Sequence, residues 1–308
     1  MGMVGWYGER DDRESLATLD RALELGVTHL DTAAVYQNGD NERFIGQWLQ
    51  QGRRKRVFLA TKCGMVRGAD GRPAVDGSPA AIARSCDESL ERLRTDHIDL
   101  FYLHRVDRNV PIEASMQAMA ALVAAGKVRH LGLSEAGPAT LQRACTVHPV
   151  AALQSELSLW TPSATRGALD ACARLGVSFV AYSPLGRGFL TGTIRSIADL
   201  PEKDTRRLFP RFTDAQLAAN LELAARVRML ADRYGCTPSQ LALAWVLAQG
   251  RHVLAIPGTK KRHYLEDNAA AANVMLDGGQ LREMAELLSE ELIHGERYPQ
   301  NMLGALDG

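Results

Sequence analysis

The sequence contains no C-x-x-C pair. Its five cysteines, Cys63, Cys86, Cys145, Cys172 and Cys236, are odd in number and widely spaced. That pattern argues against a disulfide framework and a zinc site, and fits small core hydrophobes in a reducing, cytoplasmic compartment. Net charge is missing too, because 36 Lys and Arg offset 36 Asp and Glu. A general electrostatic pull toward nucleic acid or acidic membranes is therefore not expected. The longest apolar stretches, Ala118–Ala125 and Leu241–Ala248, are too short to span a bilayer, and the N-terminus lacks a basic-then-apolar signal pattern. Neither G-x-G-x-x-G nor a P-loop occurs, so Rossmann and Walker readings fail on spacing.

What is present is core material and alternation. At 46% hydrophobic residues the chain of 308 can fill one large core, which argues against disorder. β-rich runs recur at Val27–Leu30, Val57–Thr61, Ile98–Leu103, Val128–Leu133, Ala151–Gln154, Val177–Tyr182 and Val253–Ile256. Helical periodicity fills the intervals. Ile82, Cys86, Leu90 and Leu93 share a face behind the cap Ser78-Pro79, and Thr237–Gln240 and Thr213–Gln216 read as capping boxes. Gly26, Gly126 and Gly176 close helices before strands.

Such alternation predicts an α/β fold with a parallel sheet, open or closed into a barrel, as one domain over residues 1–308. One interval departs from the rest, holding a long Gly-, Arg- and Pro-rich loop at Pro184–Phe212 and then two helices. Loops of this length in compact domains usually serve function. Seven strands fall one short of a (β/α)8 barrel, and nothing before residue 13 reads as a strand.

Each run delivers a polar or glycine-rich group at its carboxyl end, where parallel α/β folds gather ligands. These are Asp31, Lys62, His104, Ser134 with Glu135, Gln154, Tyr182 with Ser183, and Gly258-Thr259-Lys260. Singly, each has a bland explanation: Asp31 a turn cap, Lys62 a surface lysine, His104 a rim histidine, Tyr36 a half-buried phenol. Four such residues on three successive strand ends are harder to explain that way. A tyrosine becomes a competent acid when a lysine ammonium favours its phenolate, and a carboxylate holds that lysine charged. A histidine can orient and polarise a carbonyl oxygen. Together they are the parts for carbonyl reduction, with the hydride coming from a cofactor.

The runs HLDTAAVYQNGDNERFIGQWL, LATKCG, DHIDLFYLHRVD, GLSEAG, LQSELSLW, AYSPLGRGFLTG and IPGTKKRHYLEDNAAA closely resemble the aldo-keto reductase superfamily in order and spacing. The resemblance extends from Met1 to the GERYP segment. RRLFPRF and Glu135 look most like the branch of general aldehyde and pyridoxal-type reductases. It implies a (β/α)8 barrel and NADPH-dependent reduction of a small-molecule aldehyde or ketone. Asp31, Tyr36, Lys62 and His104 would be the catalytic tetrad, with Tyr36 as general acid. Tyr182 would stack on the nicotinamide, and Ser134, Glu135 and Gln154 would contact its carboxamide side. The backbone at Ser183, Leu185, Gly186 and Gly188 would embrace the pyrophosphate. Gly258, Thr259, Lys260, Asp267 and Asn268 would hold the adenosine half.

Two positions depart from the family. Where an Arg usually meets the adenosine 2′-phosphate stands Tyr264, with Lys260, Lys261 and Arg262 close enough to supply the charge; NADPH is favoured and NADH stays open. Family members also begin with a hairpin and a first barrel strand, whereas this chain opens at Met1-Gly2-Met3. A start assigned downstream of the true one, a deletion compensated by an oligomer, and a truncated product would each explain that, and the first is the expectation. An unclosed barrel leaves two sheet edges unpaired, so the oligomeric state stays open. The rival readings are a cofactor-binding regulatory or scaffold subunit, and a cofactor-free isomerase or lyase using Lys62. Specificity is expected from residues 187–212 and from those after about 290. Trp6, Tyr7, Trp160 and Phe189 are candidates for pocket walls or for core packing.

Overall fold

The computed structural model describes residues 2–5, 7–68, 73–162, 166–300 and 307; Trp6 lies outside them. In chain order the main elements are α1 (Asp12–Glu24), β1 (His29–Asp31), α2 (Asp40–Trp48), β2 (Phe58–Cys63), β3 (Met65–Arg67), β4 (Pro73–Val75), α3 (Pro79–Leu93) and β5 (Ile98–Leu103). There follow α4 (Ile112–Ala124), β6 (Val128–Ser134), α5 (Pro138–Val147), β7 (Val150–Glu156), α6 (Arg166–Leu175) and β8 (Ser178–Tyr182). The chain continues with α7 (Asp214–Tyr234), α8 (Pro238–Leu247), β9 (Val253–Ala255), α9 (Arg262–Ala270) and α10 (Gly278–Leu287).

Seven strands form one parallel sheet in the order β1-β2-β5-β6-β7-β8-β9, matching the seven β-rich runs. Their ends shift by one or two residues, so Asp31 and Lys62 lie inside strands rather than after them. The sequence reading had no place for the antiparallel hairpin β3–β4, whose three-residue strands are too short to show alternation. Ser78 caps α3 by accepting from the Ala81 N–H at 3.4 Å, and Thr237 with Gln240 forms the full capping box of α8. At α7 only half of the expected box forms: Thr213 Oγ1 accepts from the Gln216 N–H at 3.4 Å, while the Gln216 side chain makes no return bond to Thr213 among the described residues.

Side chains alternate across the strands. Ala60, Leu100, Tyr102, Ala152 and Val180 point to the concave side and pack with Ile256. Leu59, Phe101, Leu131, Leu133, Leu153 and Phe179 point outward to the helices. The sheet is strongly curled. Gln154 on β7 and Asp31 on β1 stand four strands apart, a flat-sheet separation of roughly 19 Å, yet their side chains meet at 2.8 Å. The result is a (β/α) barrel with seven strands, whose β1 and β9 are not paired to each other. Around that gap the helical layer is continuous: Arg21 on α1 pairs with Glu266 on α9 at 2.7 Å, and Arg262 with Glu14 at 3.0 Å.

The long loop is packed. Phe189, Leu190, Ile194, Leu200 and Phe212 are buried with Trp160 and one face of α7 in a second apolar cluster. Trp160 stacks on Phe189 at 4.1 Å and donates to Asn220 at 2.8 Å, so both aromatics are core rather than pocket wall. Burial also pushes the Cys86 thiol up to about 11 and that of Cys172 up to about 12, as expected for packing cysteines. Among the described residues, no helix is long and apolar enough to cross a membrane.

Candidate active site

Lys62 is the most buried lysine or arginine among the described residues, 1% exposed on the concave face of β2. A lone buried ammonium would cost several kcal/mol. Here Nζ donates to Asp31 Oδ1 in a short hydrogen bond, and to the Thr32 carbonyl at 2.8 Å. Gln154 Nε2 holds the other carboxylate oxygen of Asp31. Burial alone would raise the pKa of Asp31 and lower that of Lys62. Their mutual attraction overrides it, keeping the carboxyl below its ordinary value and the ammonium above. The pair is charged at neutral pH.

Tyr36 opens the one-turn segment Tyr36–Gly39 after β1, where Gln37 and Asn38 are held at φ of 49° and 52°. Lys62 Nζ lies 5.5 Å from the centre of its ring. His104, just beyond β5, faces that ring edge-on with centroids 6.2 Å apart. Burial, then the charges of Arg105 and Lys62, hold the His104 imidazole well below its ordinary pKa, so it is neutral at pH 7. Its Nδ1 is buried with no hydrogen-bond partner among the described residues. The fold thus brings Asp31, Tyr36, Lys62 and His104 into one cluster.

The other sequence candidates ring the same end of the barrel. Backbone strain collects there, with Glu135 at φ of 53°, Ser183 at 49° and Arg187 at 57°. Ser134 is buried at the end of β6, and Glu135 accepts from the Glu156 N–H at 3.0 Å. Tyr182 Oη meets Tyr298 Oη at 2.8 Å. Gly186 (φ 56°) and Gly188 (φ 95°) shape the loop after Leu185; a Cβ at 186 would come within 2.9 Å of Trp160. Gly258 and Thr259 lie between β9 and α9. Lys260 donates to the Glu9 carbonyl at 2.6 Å. Asp267 is engaged by the α8 cap, accepting from Thr237 Oγ1 at 3.0 Å and Gln240 Nε2 at 2.9 Å. Asn268 is half-buried on α9 beside it.

With that arrangement established, comparison with known proteins is decisive. The family profile described as Aldo/keto reductase family matches residues 1–289. The chain belongs to the aldo/keto reductase family. It is 42% identical over 304 residues to aldo-keto reductase yakc of Schizosaccharomyces pombe, a name that specifies NADP(+), covering 97% of this chain and 89% of the relative. It is 44% identical over 303 residues to aldo-keto reductase str7 of Strobilurus tenacellus, covering 96% and 88%. Among solved structures, a glycerol dehydrogenase from Gluconobacter oxydans superposes with a TM-score of 0.85 at 27% identity, covering 96% of this chain and 91% of that one. An aldo/keto reductase from Klebsiella pneumoniae, in complex with NADP and acetate, gives 0.70 at 27%, covering 94% and 89%.

In this aldo/keto reductase, the residues that sequence reasoning missed form a charged cluster at the carboxyl ends of β6 and β7. Arg297 in the C-terminal segment pairs with Glu135 at 3.2 Å. Arg187 lies 3.7 Å from Glu156 at the end of β7, with its guanidinium 3.8 Å over Phe209 and 4.8 Å over Tyr298. Loop, strand end and C-terminal segment are thereby tied together. The GERYP and GRGFLTG runs carried these residues, but neither spacing nor polarity says which arginines turn inward. Tyr7 lies at the loop's outer edge, under Arg206 at 4.9 Å.

Proposed function

We propose that the protein reduces an aldehyde or ketone to the alcohol with NADPH, with Tyr36 as the proton donor. The observation that carries this reading is the buried Asp31–Lys62 ion pair directly beside Tyr36 and a neutral His104. The charged Lys62 lies beside the Tyr36 ring, placed to stabilise the negative charge left there as the phenolic proton passes to the developing alkoxide. Asp31 and the Thr32 carbonyl aim Lys62, and Gln154 aims Asp31. The neutral His104 donates a hydrogen bond to the carbonyl oxygen without competing as an acid.

The residues around the mouth fit a nicotinamide dinucleotide. The ring of Tyr182 closes one side, and the left-handed loop from Ser183 to Gly188 wraps the end of β8. Lys260 and Lys261 stand at the start of α9, where Lys261 has no carboxylate partner among the described residues, so cations suited to a phosphate are present. Arg262 is committed to Glu14, and Tyr264, 48% exposed, offers no charge. A bound reduced nicotinamide supplies the hydride. The yakc name and the NADP complex of the Klebsiella structure support NADPH over NADH. Residues 1–308 act as one domain in this reading, in the cytoplasm.

The test combines quenching of tryptophan fluorescence by NADPH and NADH with a panel of aldehydes and ketones, followed by loss of NADPH absorbance. The reading expects tighter NADPH binding and turnover of at least one carbonyl. Binding with no turnover across a broad panel would favour the scaffold reading instead.

A further inference from the structure

Arg105 follows His104 at the end of β5 and is half-buried at the floor of the mouth. Its Nη1 donates to the His104 carbonyl at 2.6 Å and to Ser134 Oγ at 3.3 Å, which pins the guanidinium across the ends of β5 and β6. Its Nε and Nη2 have no protein partner among the described residues, and neither is sealed from solvent. Four other cations at this end are held in ion pairs, Lys62 with Asp31, Arg187 with Glu156, Arg297 with Glu135 and Arg206 with Asp204, while Lys260 and Lys261 stand apart at the start of α9. Arg105 forms no ion pair among the described residues. Glu135, a carboxylate that acts on its charge, is itself held by Arg297 and by the Glu156 N–H. Tyr36, Tyr182 and Tyr298 also face it, and Tyr182 and Tyr298 stay protonated because burial raises both phenols.

A guanidinium in a partly desolvated pocket with two free donors and no counter-charge is built to receive an anion. A planar fork with two open N–H groups matches a carboxylate bidentately. We infer that Arg105 is a substrate-selecting residue, and that the preferred substrates carry a carboxylate within one to three carbons of the reacting carbonyl, such as 2-oxo acids and short semialdehydes. This rests on the reductase reading above. Its position next to His104 puts the anion beside the carbonyl that His104 orients. Fixing that second group also aligns the carbonyl toward Tyr36, so the benefit appears in both KM and kcat.

The experiment uses the full chain with NADPH and two matched pairs, glyoxylate against acetaldehyde and succinate semialdehyde against butanal. The ratio of kcat/KM within each pair is compared among the wild type, Arg105→Met and Arg105→Lys. The inference expects the wild type to prefer the carboxylate by at least tenfold in one pair. Arg105→Met should cut that ratio at least tenfold, with Arg105→Lys between. In parallel, oxamate should raise the melting temperature of the wild type with and without NADP(+), and should lose that effect in Arg105→Met. A wild type that turns over the neutral aldehydes without preference overturns the inference and leaves the reductase reading standing. A variant with an unchanged ratio but weakened NADPH binding overturns it too, assigning Arg105 to the cofactor. Absence of turnover on all four compounds counts against the reductase reading, and the oxamate shift then decides: protection lost in Arg105→Met sustains an anion site, and no protection of the wild type overturns it.

Discussion

Gln154 on β7 and Asp31 on β1 hydrogen-bond at 2.8 Å across the interior of the curled sheet, from strands that are four apart. This one bond joins the barrel's curvature to its chemistry. Asp31 reaches Lys62 with one oxygen and Gln154 with the other, so the position of the lysine beside Tyr36 depends on opposite walls of the barrel.

The pair Asp31–Lys62 should therefore dominate local stability. Lys62→Met leaves a buried carboxylate without its counter-charge, and removing one partner of a buried pair costs about 3–5 kcal/mol. Adding Asp31→Asn to Lys62→Met should recover part of that loss. Urea denaturation of the two singles and the double closes the cycle, and additive losses would mean that the two side chains are not coupled.

The neutral state of His104 has a pH signature with a definite sign. Burial and the nearby Arg105 and Lys62 lower its proton affinity in the folded chain. The unfolded chain takes up a proton near pH 6.5 that the folded chain refuses, so stability falls as pH drops below that value. His29, also lowered by burial, adds to the same fall. In His104→Gln the loss of melting temperature between pH 7.5 and 5.5 should shrink without vanishing. The kcat/KM profile of the wild type should show no inflection from His104 near 6.5.

Much of this was legible in the sequence because strand ends carry the chemistry. Asp31, Lys62 and His104 could be located by their place at the ends of three β-rich runs, while the role of Tyr36 follows from the resemblance carried by the run HLDTAAVYQNGDNERFIGQWL. The residues that point across space were not legible. Arg187, Arg297 and Tyr298 turn inward because Glu135, Glu156 and Tyr182 receive them, and no local period encodes that. The resemblance makes Asp267 a contact of the adenosine half, and only the structure shows that its carboxylate also accepts from Thr237 at the N-terminal cap of α8, thirty residues away in sequence. Trp160 and Phe189 read equally as pocket walls or core packing; the structure shows core packing, because the loop folds over Trp160 and α7 to bury its own Phe189, Leu190 and Phe212.

Cofactor preference should depend on Lys261. Its ammonium stands at the start of α9, where the Arg262 N–H donates to Glu14, and has no carboxylate partner among the described residues. An exposed ion pair is worth about 0.2–1 kcal/mol, so Lys261→Ala should raise the NADPH KM by up to about fivefold and leave the NADH KM unchanged. An equal rise for both cofactors would place Lys261 away from the 2′-phosphate.

The account turns on Tyr36. Its most direct test is the rate of NADPH oxidation by Tyr36→Phe with the best carbonyl substrate, alongside NADPH binding by the same variant. General acid catalysis is worth about 10²–10⁴ in rate, so kcat should fall by at least about a hundredfold while NADPH Kd stays within about twofold of wild type. A Tyr36→Phe enzyme with near-normal kcat would contradict the mechanism.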